Sequence, residues 1–347
     1  MKHYIIPIFI PHFGCPHQCI FCNQKKITGF QTSMTPKLVA QVIKDHLARI
    51  NRERRIEIAF YGGSFTALPI DIQEALLTPA YHALKADKVQ AIRLSTRPDC
   101  ISPEILKMLH GLGVSTIELG AQSLDDKVLQ SAARGHTSQA IRTAVNLIKT
   151  AGIKCGLQLM VGLPTENWSN LIKTAFQAAE LKPDFTRIYP TLVIAETHLA
   201  RLYQSGAYVP LPLNEAVARS AFMKLIFNRC NIPVIRTGLQ ASDDLNSRDV
   251  VLAGPYHPAF GEMVDAYLFN IMVARCLDNF TELGAEVVIH HHAKDSSKVR
   301  GLANANIKAW TDNYKASFSL VPDGTTIGLL KIETNGHRCI ITRNMLE

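Results

Sequence analysis

Short apolar runs alternate with helical patterns over the first ~190 residues, and that alternation leaves few folds open. The runs are Tyr4–Ile10, Ile56–Tyr61, Gln90–Thr96, Ser115–Gly120, Lys154–Val161 and Phe185–Tyr189. Each is nearly continuously apolar, as a parallel strand covered on both faces should be. Helix starts lie between them. Thr35-Pro36 places a capping hydroxyl before a proline at the first helical position, predicting a helix to about Ile50, and Ser102-Pro103-Glu104 repeats the device. Thr137 opens Ser138–Thr150, and Gly152 stops it. Strand–helix–strand connections within one sheet are right-handed. The repeat therefore predicts an α/β protein built on a partial (β/α)6 TIM-like barrel, with its chemistry at the carboxyl ends of the strands.

The chain has 347 residues, enough for such a barrel and a smaller unit. The Gly/Pro-rich segment Gly206–Asn214 reads as a linker or lid. Beyond it, helical patterns near Glu215–Cys230, Glu262–Phe280 and Ser297–Tyr314 and strand-like runs at Glu286–His290 and Thr326–Ile332 predict an α/β appendage closing the open side of the barrel. The expected division is residues 1–205 and 206–347. No apolar run reaches membrane-spanning length, and Met1–Ile10 is too short for a signal-peptide core. The net charge of +8 favours polyanionic partners such as RNA, though the basic residues are dispersed; Arg52, Arg54 and Arg55 read as a solvated edge. Cys100, Cys155, Cys230, Cys276 and Cys339 are scattered and read as small buried side chains rather than a disulfide framework, which suits a cytoplasmic location.

The other three cysteines are clustered. Cys15, Cys19 and Cys22 lie in Gly14-Cys15-Pro16-His17-Gln18-Cys19-Ile20-Phe21-Cys22, a C-x3-C-x-aromatic-C spacing directly after the first strand. Three thiolates leave one iron of a [4Fe–4S] cube free to bind the amino and carboxylate groups of S-adenosylmethionine (SAM), which a four-cysteine ferredoxin site cannot do. The alternatives are a zinc knuckle, with His17 as the local fourth ligand, or three stray core cysteines.

Other strand ends are rich in polar or flexible residues. Gly62 and Gly63, before Ser64, let backbone approach a ligand closely. Ser95 and Gln122 could hydrogen-bond ribose hydroxyls. Arg97 and Asp99 either serve the site or pair with each other. Arg134 suits bidentate recognition of a carboxylate, and His136 reads as structural. Gly162, in Met160–Pro164, either offers a flat surface for adenine or makes a tight turn; Phe21 either packs on adenine or joins the core, and its place in the cysteine loop favours adenine. Tyr189 stands at the mouth as a substrate or radical-relay residue. Asp243, Tyr256, His257 and Glu262 lie in loops that either line a site or simply turn. In His290–His292 neighbouring side chains point to opposite strand faces, so at most two could share a metal.

The cysteine spacing resembles that of the radical SAM superfamily. With Gly-Gly-Ser-Phe, Ser-Thr-Arg-Pro-Asp, Glu-Leu-Gly-Ala-Gln-Ser, Arg-Gly-His-Thr, Gly-Leu-Pro and Arg-Ile-Tyr-Pro-Thr, in that order, residues 8–208 are similar to the radical SAM domain of the Elongator catalytic subunit. They are more distantly similar to oxygen-independent coproporphyrinogen oxidases. The resemblance implies a [4Fe–4S] cluster on Cys15, Cys19 and Cys22, and SAM contacts from Gly62, Gly63, Ser95, Gln122 and Arg134. It further implies a flavodoxin- or ferredoxin-type electron donor and a radical acting on an organic substrate, a tRNA base first. Alternatives are a small metabolite, or a non-catalytic haem-binding role as in some coproporphyrinogen-oxidase relatives. The sequence lacks the Elongator subunit's long basic segment, its longer first cysteine spacing and its acetyltransferase domain, so a short Elongator-like protein is expected.

Overall fold

The computed structural model describes residues 3–10, 15–23, 34–50, 54–240, 247, 249–280 and 282–346. Its largest sheet has seven strands, all parallel, in the order β1 (His3–Phe9), β2 (Arg55–Tyr61), β3 (Ala91–Thr96), β4 (Val114–Gln122), β5 (Lys154–Val161), β6 (Phe185–Pro190) and β8 (Val234–Thr237). The seventh strand corrects the sequence count of six. Val234–Thr237 is too short and too polar to stand out, and only its place beside β6 makes it part of the sheet. The sheet thus draws on residues beyond 205.

Helices α1 (Pro36–Arg49), α2 (Ile70–Lys85), α3 (Pro103–Gly111), α4 (Asp126–Ser131), α5 (Ser138–Thr150) and α6 (Trp168–Glu180) fall between the strands. The expected caps form: Thr35, Ser102 and Thr137 accept from the backbone N–H of Leu38, Ile105 and Ala140. Ile56, Ile58 and Phe60 of β2, Ile92 and Leu94 of β3, and Ile117 and Leu119 of β4 meet the helices in one core. The alternate residues Glu57, Arg93, Glu118 and Arg187 form the opposite, concave face. The strands are therefore not apolar on both sides as read. On a flat sheet, residues on β2 and β6 would be roughly 19 Å apart. Yet Arg187 Nη2 on β6 lies 3.5 Å from Tyr61 Oη on β2, so the sheet is curled into a half-barrel.

After β7 (Val193–Ile194) and α7 (His198–Gln204), the Gly/Pro-rich segment is fastened down rather than loose. Tyr208 is buried and its hydroxyl donates to Gly162 O at 2.7 Å. Helix α8 (Leu213–Arg229) then feeds both cores: Met223, Ile226 and Phe227 join the barrel, while Ala216, Val217 and Ala221 join a second core. That second core contains α9 (Phe260–Leu277) and a four-stranded mixed sheet ordered β11 (Ser317–Asp323), β10 (Glu286–His292), β12 (Leu329–Thr334), β13 (His337–Thr342). The short strand β9 (Val251–Ala253) pairs with β7. The helical pattern of 297–314 splits into α10 (Ser296–Arg300) and α11 (Ala305–Tyr314) at Gly301, whose φ of +72° continues no helix.

The cysteine reading needs one correction. Cys276 on α9 and Cys339 on β13 form a disulfide. Separated by 63 residues in the chain, they gave no local signal. Cys230 is exposed and Cys100 half-buried; only Cys155 matches the reading of a buried, unpaired thiol.

Candidate functional site

The cysteine loop lies at the carboxyl edge of the barrel and is anchored by its neighbours. Ile20 N donates to Ala132 O (3.3 Å), Ile20 O accepts from Leu199 N (2.8 Å), and Cys22 N donates to Cys19 O (3.1 Å). Ile20 packs with Val193, Leu199 and Tyr208. Phe21 bridges that group and a second made of Val128, Met160 and Leu163, beside Tyr189. Cys19 is buried, and Cys15 and Cys22 are half-buried.

Two guanidinium groups face these thiols. Arg134 Nη1 donates to Cys19 Sγ at 2.8 Å, and its Nη2 donates to Gly120 O. Arg97 donates to the carbonyl of Arg134 and is held by Asp99 in a two-point pair at 3.0 and 2.9 Å. That resolves the two readings of Arg97 and Asp99 in favour of pairing. Burial and the neighbouring Cys19 push the Cys15 thiol up, opposed by Arg97, Arg134 and a backbone hydrogen bond at Ser64. Cys100 lies behind Arg97, its thiol pushed up by burial and Asp99. His17 lies over Gly135, where a Cβ would meet its Cδ2 at 2.3 Å. Among the described residues no three His, Cys, Asp or Glu side chains close into a metal cage. The donor set suits iron–sulfur ligation nonetheless: three thiols on one loop, with cationic groups beside them to offset thiolate charge.

Around this loop the strand ends are shaped by backbone. Gly62 takes φ +104°, and Gly62 and Gly63 are half-buried. Ser64 turns away into a buried hydroxyl cluster with Thr96 (3.1 Å), and Thr96 also meets Thr66 (2.6 Å). Ser95 is half-buried at the end of β3. Gln122 sits at φ +69° beside a register shift in β4 and accepts from Gln158 Nε2 at 3.2 Å. A non-glycine residue in that region is uncommon, and such bulges re-aim side chains near active sites. Gly162, at φ +83°, donates to Glu166 Oε1 at 2.7 Å, and a Cβ there would meet Leu211 Cδ1 at 2.9 Å. Its turn is therefore covered by the 206–212 segment. His136 is buried, and burial with Arg134 lowers its pKa to about 4, so it is neutral at pH 7.

Below the mouth, the concave face carries a buried ionic ladder that the strand reading missed. Arg93 donates to Glu57 (2.8 Å) and Glu118 (2.6 Å). Arg187 donates to Glu118 (3.0 Å) and to Tyr189 Oη (3.2 Å), and reaches Tyr61 Oη. His3 Nε2 lies 3.2 Å from Glu57. The signal was present as single charges at alternate positions in apolar runs. Glu166, buried with Arg219 at 3.1 Å, was also missed; burial raises its carboxyl to about 7 against the pull of Gly162 N–H and Arg219.

The downstream loops do not join the cysteines as one cluster. His257 Nδ1 accepts from Ala259 N at the start of α9 (3.0 Å), Tyr256 packs by Leu192 and Ile194, and Glu262 lines a separate cavity of about 300 Å³ with Arg300. Asp243 and Arg52 lie outside the described residues. On β10, His291 is buried against His292 O while His290 faces Asp323 (3.2 Å), so the triplet splits across two faces as the strand geometry requires.

A family model for the radical SAM superfamily matches residues 9–178, and one for a radical SAM C-terminal domain matches residues 183–270. The chain is 28% identical over 295 residues to the tRNA uridine(34) acetyltransferase of Methanocaldococcus jannaschii, covering 73% of this chain and 53% of that protein. It is 31% identical over 258 residues to human Elongator complex protein 3, covering 60% of this chain and 47% of that protein. The chain spans about half the length of the curated relatives it matches. The solved archaeal Elp3 of Methanocaldococcus infernus, with an N-terminal deletion, shares the fold at a TM-score of 0.61 and 22% identity, over 77% of this chain and 63% of that one. Among the described residues no helix is long and apolar enough to cross a membrane.

Proposed function

We propose a specific reaction for this chain, which belongs to the radical SAM superfamily: reductive cleavage of SAM at a cluster on Cys15, Cys19 and Cys22, with the product radical acting on a tRNA base. It is a radical SAM enzyme, with a [4Fe–4S] cluster and SAM as cofactors, the pair its superfamily uses. These groups supply one-electron cleavage of the sulfonium to methionine and a 5′-deoxyadenosyl radical.

The rest is the work of the chain's own residues. Arg134, donating to Cys19 Sγ and Gly120 O, holds the loop against β4 and supplies positive charge beside a thiolate. Gly62 and Gly63 offer backbone groups to the amino end of SAM, and Ser95 and Gln122 offer polar groups to its ribose. Phe21 frames the adenine, with Gly162 turning the chain beside it. Tyr208 and Leu211, packed over Gly162, keep water from that side. Tyr189 faces the substrate from β6. A flavodoxin- or ferredoxin-type protein supplies the electron. The single observation that carries this reading is the three-thiol loop at the carboxyl edge of the barrel with Arg134 on Cys19. The tRNA assignment is supported by the net charge of +8 and by the tRNA-modifying relatives.

The test is anaerobic. Reconstituted protein with SAM and a strong reductant is assayed for 5′-deoxyadenosine with and without total tRNA, beside a Cys22→Ala control. Product above the control that rises with tRNA supports the whole reading. Product indifferent to tRNA removes the RNA substrate and favours a small metabolite. Equal product from Cys22→Ala removes the site assignment.

A further inference from the structure

A partly buried charge cluster outside the barrel lies where residues 271–347, beyond both family-matched stretches, meet α8 and α9. Asp265 on α9 is shared by three cations: Lys224 Nζ at 2.7 Å, Lys298 Nζ at 3.3 Å and Arg343 Nη1 at 3.3 Å. Among the described residues the one other carboxylate in reach is Asp295, which already accepts from Gly328 N at 2.8 Å and lies 3.9 Å from Lys298. Three cations thus meet two carboxylates, leaving one positive charge without a counter-charge among those residues. The Arg343 guanidinium also stacks over the Phe269 ring at 4.8 Å, which fixes it in place. A surplus cation held in a partly buried place is stabilised by an anion that reaches it.

That surplus borders a cavity. A space of about 540 Å³ lies between the end of α8 and the β12 side of the appendage, lined by Lys298 and Arg343. Its other polar walls are amides and hydroxyls, among them Asn228, Asn231, Asn344 and Thr326, and Asp295 is its only acidic lining residue among those described. Fixed cations ringed by neutral donors match an anion with several acceptor oxygens. A simple carboxylate would satisfy too few of these donors and fill too little of the space. We propose that this cavity binds a phosphate-bearing ligand through Lys298 and Arg343. Neither residue belongs to the cysteine site, so the proposal stands or falls apart from the reaction proposed above. The phosphate could belong to RNA or to a free phosphorylated compound, and the experiment separates the two.

The full chain is titrated with inorganic pyrophosphate by calorimetry, beside three variants. Lys298→Gln removes a lining cation. Asn344→Asp puts a negative charge on the exposed rim without touching the buried cluster. Lys294→Gln neutralises an exposed lysine on the same segment that does not line the cavity. Binding weakened about tenfold or more in the first two, and unchanged in the third, is the expected result. If Lys298→Gln fails to fold, Asn344→Asp decides the question by itself. No pyrophosphate binding by the wild-type chain, or equal binding by Asn344→Asp, overturns the proposal. With pyrophosphate binding established, filter binding of total tRNA names the source. A parallel loss in Asn344→Asp identifies an RNA phosphate, and unchanged tRNA binding identifies a free phosphorylated compound.

Discussion

At the residue scale, Arg134 carries two roles that can be told apart. As a residue type it suited the carboxylate of a bound amino acid; in place, its guanidinium is committed to Cys19 Sγ and Gly120 O. The two roles make different predictions. Arg134→Gln is expected to lower the iron retained after reconstitution about tenfold, from the loss of a charge-assisted hydrogen bond, while the KM for SAM of the loaded fraction stays within about twofold. A large rise in KM at full iron content would restore the carboxylate role. Glu166 offers a second test. Burial raises its folded pKa to about 7 from 4.5, so its contribution favours folding below pH 4.5 and is lost as pH rises through about 7. Relative to Glu166→Gln, the wild type should lose on the order of 3 kcal/mol between those limits, read from urea unfolding at stepped pH. A flat difference would contradict the raised carboxyl. The charged or sulfur partners are far away in sequence, Cys19 115 residues from Arg134 and Arg219 53 from Glu166, so neither pairing could be read from spacing.

At the element scale, strand positions and caps were legible because short apolar runs and Ser/Thr-Pro starts are local properties. What lay on the concave face was not. Glu57, Arg93, Glu118 and Arg187 each interrupt a different strand once, and a lone charge in an apolar run reads as an edge or an exception. Pairing of β2, β3 and β4 brings the first three together, and the curl of the sheet adds Arg187 from β6 across β5. Removing its central acid should be costly. Glu118→Gln leaves Arg93 and Arg187 facing each other with too little negative charge. The expected loss is about 3–5 kcal/mol by denaturant titration, with Arg93→Met added to Glu118→Gln recovering part of it. A loss below about 1 kcal/mol would mean that water already screens the ladder.

At the scale of the whole molecule, the appendage is tied to itself as well as to the barrel. The Cys276–Cys339 bond closes a loop across α9 and β13. Cys339→Ser is expected to cost about 2–4 kcal/mol in oxidised protein and little in protein kept reduced, measured as the shift in denaturation midpoint with and without dithiothreitol. Equal effects in both would assign the loss to packing instead. The α/β alternation and the three-cysteine loop were set by sequence alone, because strand pattern, helix caps and ligand spacing are written within a few residues of one another. So was the location of that loop at a strand's carboxyl end, since parallel topology leaves one edge for chemistry. The seventh strand, the ionic ladder, the pinning of Tyr208 on Gly162, the disulfide and the Asp265 cation cluster were decided only by the tertiary structure. Each depends on residues tens to over a hundred positions apart, and their energy comes from burial and charge pairing that exist only once the sheet has curled and the appendage has docked.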